Sequence, residues 1–169
     1  MKIVVLVENT TTNENLSSEH GLSLYIETGH HKILFDMGQT DLFAENAKKL
    51  GIDLAEVDIA ILSHGHYDHG GGLKKFLEMN EKAPVYISKY AFASYYNGTE
   101  KYIGLDVSLR ESERIVYTDG VVEIADGLVL YHCNDRVQNF DLGSFGLCKK
   151  AGDAFVADDF LHEQYLYIE

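Results

Sequence analysis

The chain has no tryptophan, one proline, two cysteines and little positive charge. Each shortage excludes something. A single proline in 169 residues, with no repeat and no low-complexity stretch, leaves no interdomain linker to find. The length suits one domain with a real core. Cys133 and Cys148 are spaced as neither a zinc ribbon nor a redox pair, so two reduced, buried thiols are expected. Lysine and arginine number 14 against 27 acidic residues, a formal net charge of -13. Such a surface repels phosphate backbones and anionic membranes, which argues against nucleic-acid and membrane partners. A small anionic substrate stays open, because a bound divalent metal inverts the local field. Long apolar runs are lacking too. The N-terminal run, residues 3–7, is too short for a signal peptide or a membrane span, and a cytoplasmic protein is the expectation.

What is present reads as alternating strands and helices. Residues 3–7 are β-branched and apolar, predicting a buried strand. Residues 9–18 are polar and read as a loop. Residues 22–27 and 32–36 form a predicted hairpin about Gly29. A helix over 41–50 follows, with Thr40 as N-cap, Gly51 as C-cap and an apolar stripe of Leu42, Phe43, Ala47 and Leu50. Then come a strand over 58–63, a helix over 73–79 and a strand over 84–88. This order predicts an α/β fold with helices covering a sheet. Residues 90–102 carry five aromatic side chains and read as a short aromatic helix or a substrate-facing segment, with packing the favoured role. Short strands at 115–117, 121–124 and 128–132 are separated by Asp119-Gly120 and Asp126-Gly127, read as tight turns. Residues 134–152 read as a loop and 164–169 as a last strand.

The chemistry sits at His64-Gly65-His66-Tyr67-Asp68-His69, just past the strand over 58–63. Imidazole suits first-row transition metals, and carboxylate adds a hard oxygen donor. In an extended segment His64 and His66 project to one side and can share an ion. After the chain turns, Asp68 and His69 can address a second ion, about 3.5–4 Å away in known two-metal sites. Gly65 and Gly70-Gly71-Gly72 allow a tight backbone path. Tyr67 faces substrate or packs; the spacing does not choose. His30 and His31 fall in a turn, and His132 reads as structural.

The motif His64-x-His66-x-Asp68-His69 after Ala60-Ile61-Leu62-Ser63 resembles the signature of the metallo-β-lactamase superfamily. Leu34-Phe35-Asp36-Met37-Gly38 resembles that superfamily's strand ending in Asp-x-Gly, which implies that Asp36 orients a metal-bound histidine. Glu19-His20-Gly21-Leu22-Ser23, Phe35-Asp36-Met37-Gly38-Gln39 and Asp158-Asp159-Phe160-Leu161-His162-Glu163-Gln164 resemble a subgroup named for dihydropterin-ribofuranosylaminobenzene-phosphate synthase. By this resemblance His20, Asp159 and His162 join Asp36 as residues lining the site. The implied fold is a four-layer αββα sandwich whose second half brings a further histidine, an acidic bridging ligand and a last histidine. No Gly-Cys-Ser-His segment of the subgroup's type occurs here. Residues 1–169 are therefore expected to form a single metallo-β-lactamase-like domain truncated at the C-terminus, with a homodimer able to cover the open sheet edge.

The function expected is metal-dependent hydrolysis of a small ester, phosphoester or amide substrate. Two divalent ions would activate water, zinc being the first choice and iron or manganese also suited. His64, His66, Asp68 and His69 would be the ligands, and Asp68 would also take a proton as the catalytic residue. Two alternatives stand beside it. One is the subgroup's condensation of a pterin with a phosphorylated ribosyl-aromatic substrate. The other is a non-catalytic metal-binding or assembly fragment.

Overall fold

Side chains on successive strand residues point to opposite faces, and that alternation builds the molecule's layers. The computed structural model describes residues 1–132 and 145–169. In chain order its strands are β1 (Lys2–Val7), β2 (Ser23–Glu27), β3 (Lys32–Phe35), β4 (Ile59–Ile61), β5 (Val85–Ser88), β6 (Tyr95–Asn97), β7 (Lys101–Tyr102), β8 (Ile115–Thr118), β9 (Val121–Ala125), β10 (Leu128–Tyr131), β11 (Leu147–Ala151), β12 (Ala154–Ala157) and β13 (Tyr165–Ile168). The helices are α1 (Leu42–Lys49), the one-turn α2 (Tyr67–Gly70) and α3 (Leu73–Met79).

Six strands make one mixed sheet in the order β1-β2-β3-β4-β5-β8. The first three pair antiparallel, and β3, β4, β5 and β8 run parallel. Leu34, Ala60, Val85 and Ile87 face the helices and pack with Phe43, Ala47, Leu73 and Phe76. Their neighbours Ile33, Ile59 and Ile61 face the other way, onto Leu128 and Leu130 of a second sheet ordered β13-β10-β9. Helices, sheet and second sheet are thus three layers of an α/β sandwich of the expected class. A further four-stranded sheet is ordered β12-β11-β6-β7. Among the described residues no helix is long and apolar enough to cross a membrane.

Several local expectations need correction. β1 is an edge strand rather than a buried one: Ile3 and Val5 are 54% and 49% exposed, and only Leu6 and Val7 are buried. Its β-branched composition reflected strand propensity, not burial. Asp41, one residue after Thr40, holds the N-cap position of α1 without a side-chain capping bond, and it is the Thr40 hydroxyl that accepts from Leu42 N–H at 3.2 Å. Gly51 lies just past the helix with φ of 71°, the left-handed conformation that ends helices. Residues 90–102 form no helix; β6 and β7 pair there, with Tyr95 buried. Asp119-Gly120 joins no hairpin, since β8 belongs to the first sheet and β9 to the second. Asp126-Gly127 does join one, between β9 and β10. The loop expected over 134–152 contains β11, which pairs with β12 and β6. Cys133 lies outside the described residues, and Cys148 is a half-buried free thiol.

Candidate metal centre

Because β3 and β4 are parallel neighbours, the residues that follow them leave the sheet at the same edge. Asp36 follows β3, is fully buried, and has φ of 58°. Left-handed backbone is costly for a residue with a Cβ, so something must hold it. Three hydrogen bonds do. Ser63 N–H donates to Oδ1 at 2.7 Å, and the Ser63 hydroxyl and His69 Nδ1–H each donate to Oδ2 at 2.7 Å. Ser63 Oγ lies 2.8 Å from His64 Nδ1. An ionised carboxylate only accepts, so the hydroxyl proton goes to Asp36 and the His64 Nδ1 proton goes to the hydroxyl. His64 and His69 are thereby both left with a lone pair on Nε2.

Helix α2 then decides which donors meet. Its single turn carries Asp68 and His69 back beside His64, and the donor atoms of these three lie within 4.8 Å of one another. His66 stands at the N-cap of α2 and joins a different group, with Asp158 and His162, again within 4.8 Å. The two histidines expected to share an ion are thus divided between two clusters, although their rings remain 4.8 Å apart edge to face. Around His66 the bonds are His66 Nε2 to Asp158 Oδ2 at 2.9 Å and His162 Nε2 to the Asp158 oxygens at 3.2 and 3.3 Å. Gly65 N–H donates to His162 Nδ1 at 2.8 Å. A Cβ on Gly65 would run into the Ala91 carbonyl oxygen, so only glycine lets the chain pass here.

The segment carrying Asp158 and His162 is tied down by Gln164. Its amide donates to the Leu62 and Tyr86 carbonyls at 2.6 and 3.0 Å, and its oxygen accepts from the Thr118 hydroxyl at 2.7 Å. Between Asp158 and His162, Phe160 has φ of 51° and stacks on the His162 ring at 5.6 Å. Asp36 and Phe160 are the two non-glycine residues with positive φ among those described, and both abut this centre. Tyr95 covers His162 from another side, ring centroids 4.1 Å apart.

Of the remaining residues expected at the site, His20 reaches it: its Nε2 lies 3.3 Å from Asp68 Oδ2. Asp159 does not. It pairs with Lys149 at the surface, while its neighbour Asp158 is buried against His66. Of the adjacent pair it is Asp158, not the expected Asp159, that turns inward. Ser63 and Gln164 were not singled out as site residues; a serine before the motif and a glutamine in a polar segment carry no spacing signal. His132 is buried near the Thr118 hydroxyl at 3.2 Å, in neither donor group.

The electrostatics separate the imidazoles. Burial pushes His64 well below its usual 6.5, with His69, His66 and His162 adding to the effect. Burial also opposes charge on His69, but the hydrogen bond and charge of Asp36, with Asp68, outweigh it and raise that pKa. Burial alone would raise Asp158; hydrogen bonds from His162 and His66 overcome it and hold the carboxyl well below its usual range.

A sequence profile of the metallo-beta-lactamase superfamily matches residues 19–166. The chain belongs to that superfamily. The chain is similar to the uncharacterized protein MJ0448 of Methanocaldococcus jannaschii, 38% identical over 112 residues, which cover 64% of this chain and 42% of that protein. The same organism's 7,8-dihydropterin-6-methyl-4-(beta-D-ribofuranosyl)-aminobenzene-5'-phosphate synthase is 38% identical over 108 residues, 56% of this chain and 36% of the synthase. The crystal structure of Tm1679, described as a metal-dependent hydrolase of the beta-lactamase superfamily, superposes with a TM-score of 0.77 at 31% identity. That match covers 98% of this chain and 60% of the other. The chain thus spans less than two thirds of each of these proteins.

Proposed function

We propose that the chain is a metal-dependent hydrolase for small ester, phosphoester or amide substrates, with His64, His66, Asp68 and His69 as its metal ligands. The arrangement that supports this most is the pair of buried carboxylates behind the histidines. Asp36 holds His69 directly and His64 through Ser63, and Asp158 holds His66. Burying a carboxylate costs several kcal/mol unless it is paired. Carboxylates that each fix one nitrogen of an imidazole and leave the other bare are the usual backing of metal-bound histidine. The nitrogen and oxygen donors fit zinc first, and iron or manganese as well.

When bound, two divalent ions would supply Lewis-acid polarisation and lower the pKa of water toward about 7. The protein's own residues do the rest. Asp36 and Ser63 keep His64 and His69 from rotating. Asp68 Oδ2 lies 3.3 Å from His20 Nε2 and 3.7 Å from His69 Nε2, placed to accept a proton and pass it outward to the exposed His20. Tyr95 and Phe160 close the His66 side against water. A pocket of about 280 Å³, lined by Leu22, Phe35, Glu163 and Tyr165, opens onto His64 and His69 and has room for a small substrate.

The test is turnover of a generic phosphodiester and a generic carboxylic ester by the zinc-loaded chain. Hydrolysis that His64→Ala abolishes without unfolding the protein is the expected result; hydrolysis indifferent to His64→Ala contradicts it. Tight zinc binding with no turnover favours the non-catalytic alternative. The synthase of M. jannaschii keeps condensation of a pterin with a phosphorylated ribosyl-aromatic compound as a second reading, and product analysis with those substrates distinguishes it.

A further inference from the structure

The buried bonds around His66 have a direction that distances alone do not display. A backbone amide can only donate, so the 2.8 Å bond from Gly65 N–H requires His162 Nδ1 to be bare. A neutral imidazole has one N–H, which for His162 must then sit on Nε2, facing the Asp158 oxygens at 3.2 and 3.3 Å. For His162 to bind an ion through Nε2 while Nδ1 still accepts from Gly65, the ring would have to surrender its last proton and become an anion. Proximity groups His66, Asp158 and His162 as three donors within 4.8 Å, but the proton positions make His162 a donor to Asp158.

His66 is fixed in the same way. Asp158 Oδ2 accepts from His66 Nε2 at 2.9 Å, so His66 carries its proton on Nε2 and keeps its lone pair on Nδ1. The order is Gly65 N–H to His162, His162 to Asp158, and His66 to Asp158. The Asp158 and His162 side chains are fully buried and that of His66 is 6% exposed. It parallels the Asp36–Ser63 network beneath His64 and His69 but uses residues from the far end of the chain.

We propose that Asp158 and His162 are positioning residues that lock His66 in its Nε2–H tautomer and present Nδ1 as its metal donor, rather than ligands themselves. This rests on His66 being a ligand, as proposed above. The consequence is a division of labour: one buried carboxylate serves each half of the centre, and His162 serves by keeping Asp158 in place. The phenyl ring of Phe160, stacked on His162, and Tyr95 restrict the rotation that would break the relay.

The test is long-range ¹H–¹⁵N correlation NMR of the histidine rings, followed by zinc affinity from competition with a chromophoric chelator. In the metal-free chain His66 and His162 are both expected as Nε2–H tautomers, and His162 is expected to keep that proton after zinc is added. Asp158→Ala is expected to weaken zinc binding about 10- to 100-fold. His162→Gln, which retains a donor toward Asp158, is expected to hold affinity better than His162→Phe, with circular dichroism confirming the fold of each. A His66 proton on Nδ1, loss of the His162 proton on zinc binding, or full affinity in Asp158→Ala would overturn the proposal. Should Asp158→Ala fail to fold, the wild-type tautomers decide. A wild-type chain that takes up no zinc at all sinks the hydrolase reading instead, and the metal-free tautomers still decide this one.

Discussion

The two donor groups of the centre are assembled in opposite ways. His64, Asp68 and His69 come from six consecutive residues, and the two histidines lean on Asp36, which the parallel pairing of β3 and β4 brings alongside. His66 comes from the same six residues but is held by Asp158, 92 positions further on. The first group is half-buried and opens onto a pocket; the second is enclosed by Tyr95 and Phe160. An open group suits exchange of substrate and solvent, and an enclosed one suits fixed geometry. The contrast shows that one short motif can be divided between two supporting structures, each with its own buried carboxylate.

The largest expected effect on this contrast comes from Asp36→Ala. It removes a fully buried acceptor of three hydrogen bonds and strands the Ser63 and His69 donors. Loss of about 3–5 kcal/mol of stability is expected, with zinc affinity reduced about 10- to 100-fold. Urea unfolding and chelator competition measure the two. A loss under about 1 kcal/mol would mean that the Asp36 network contributes little.

A smaller effect separates His64 from His69 by pH. In the metal-free chain the pKa of His64 is lowered by burial and that of His69 raised by Asp36. A lowered histidine pKa favours the fold above the unfolded value near 6.5 and loses that benefit as pH falls toward the folded pKa. A raised one favours the fold below 6.5 and loses the benefit as pH rises through the folded pKa. NMR titration should therefore place the two rings on opposite sides of 6.5. Coincident midpoints would contradict the account of what surrounds them.

The smallest effect is expected of Asp159→Asn. Its pairing with Lys149 is at the surface, so less than about 1 kcal/mol should be lost, and zinc affinity should stay at the wild-type value. Losses matching those of Asp158→Ala would show that the two adjacent carboxylates had been assigned to the wrong faces.

Legibility from sequence followed the distance over which each feature is determined. The helix over Leu73–Met79, the β2–β3 hairpin and the histidine motif depend on neighbours in the chain, and residue spacing exposed them. So did Asp36, through the Asp-x-Gly resemblance. β11 and β12 were hidden because Lys149, Lys150 and the flanking glycines look like loop, and only their pairing with each other and with β6 makes that segment strand. The one-turn α2 regrouped the donors by interrupting an extended segment. Asp158 is not legible locally because nothing near it in the chain distinguishes it from Asp159; the segment is tied down by Gln164 bonds to Leu62 and Tyr86, which join residues 102 and 78 positions apart. The exposure of β1 is not legible in its composition, since propensity says nothing about whether a sheet edge is covered.

The central claim is that carboxylate-backed imidazoles leave three ring nitrogens facing cations. Anomalous diffraction at the zinc edge from crystals grown with zinc tests it most directly. The account predicts peaks bounded by His64 Nε2, His69 Nε2 and Asp68 on one side and by His66 Nδ1 on the other. Zinc bound elsewhere on the surface, with no anomalous peak among these four side chains, would contradict it.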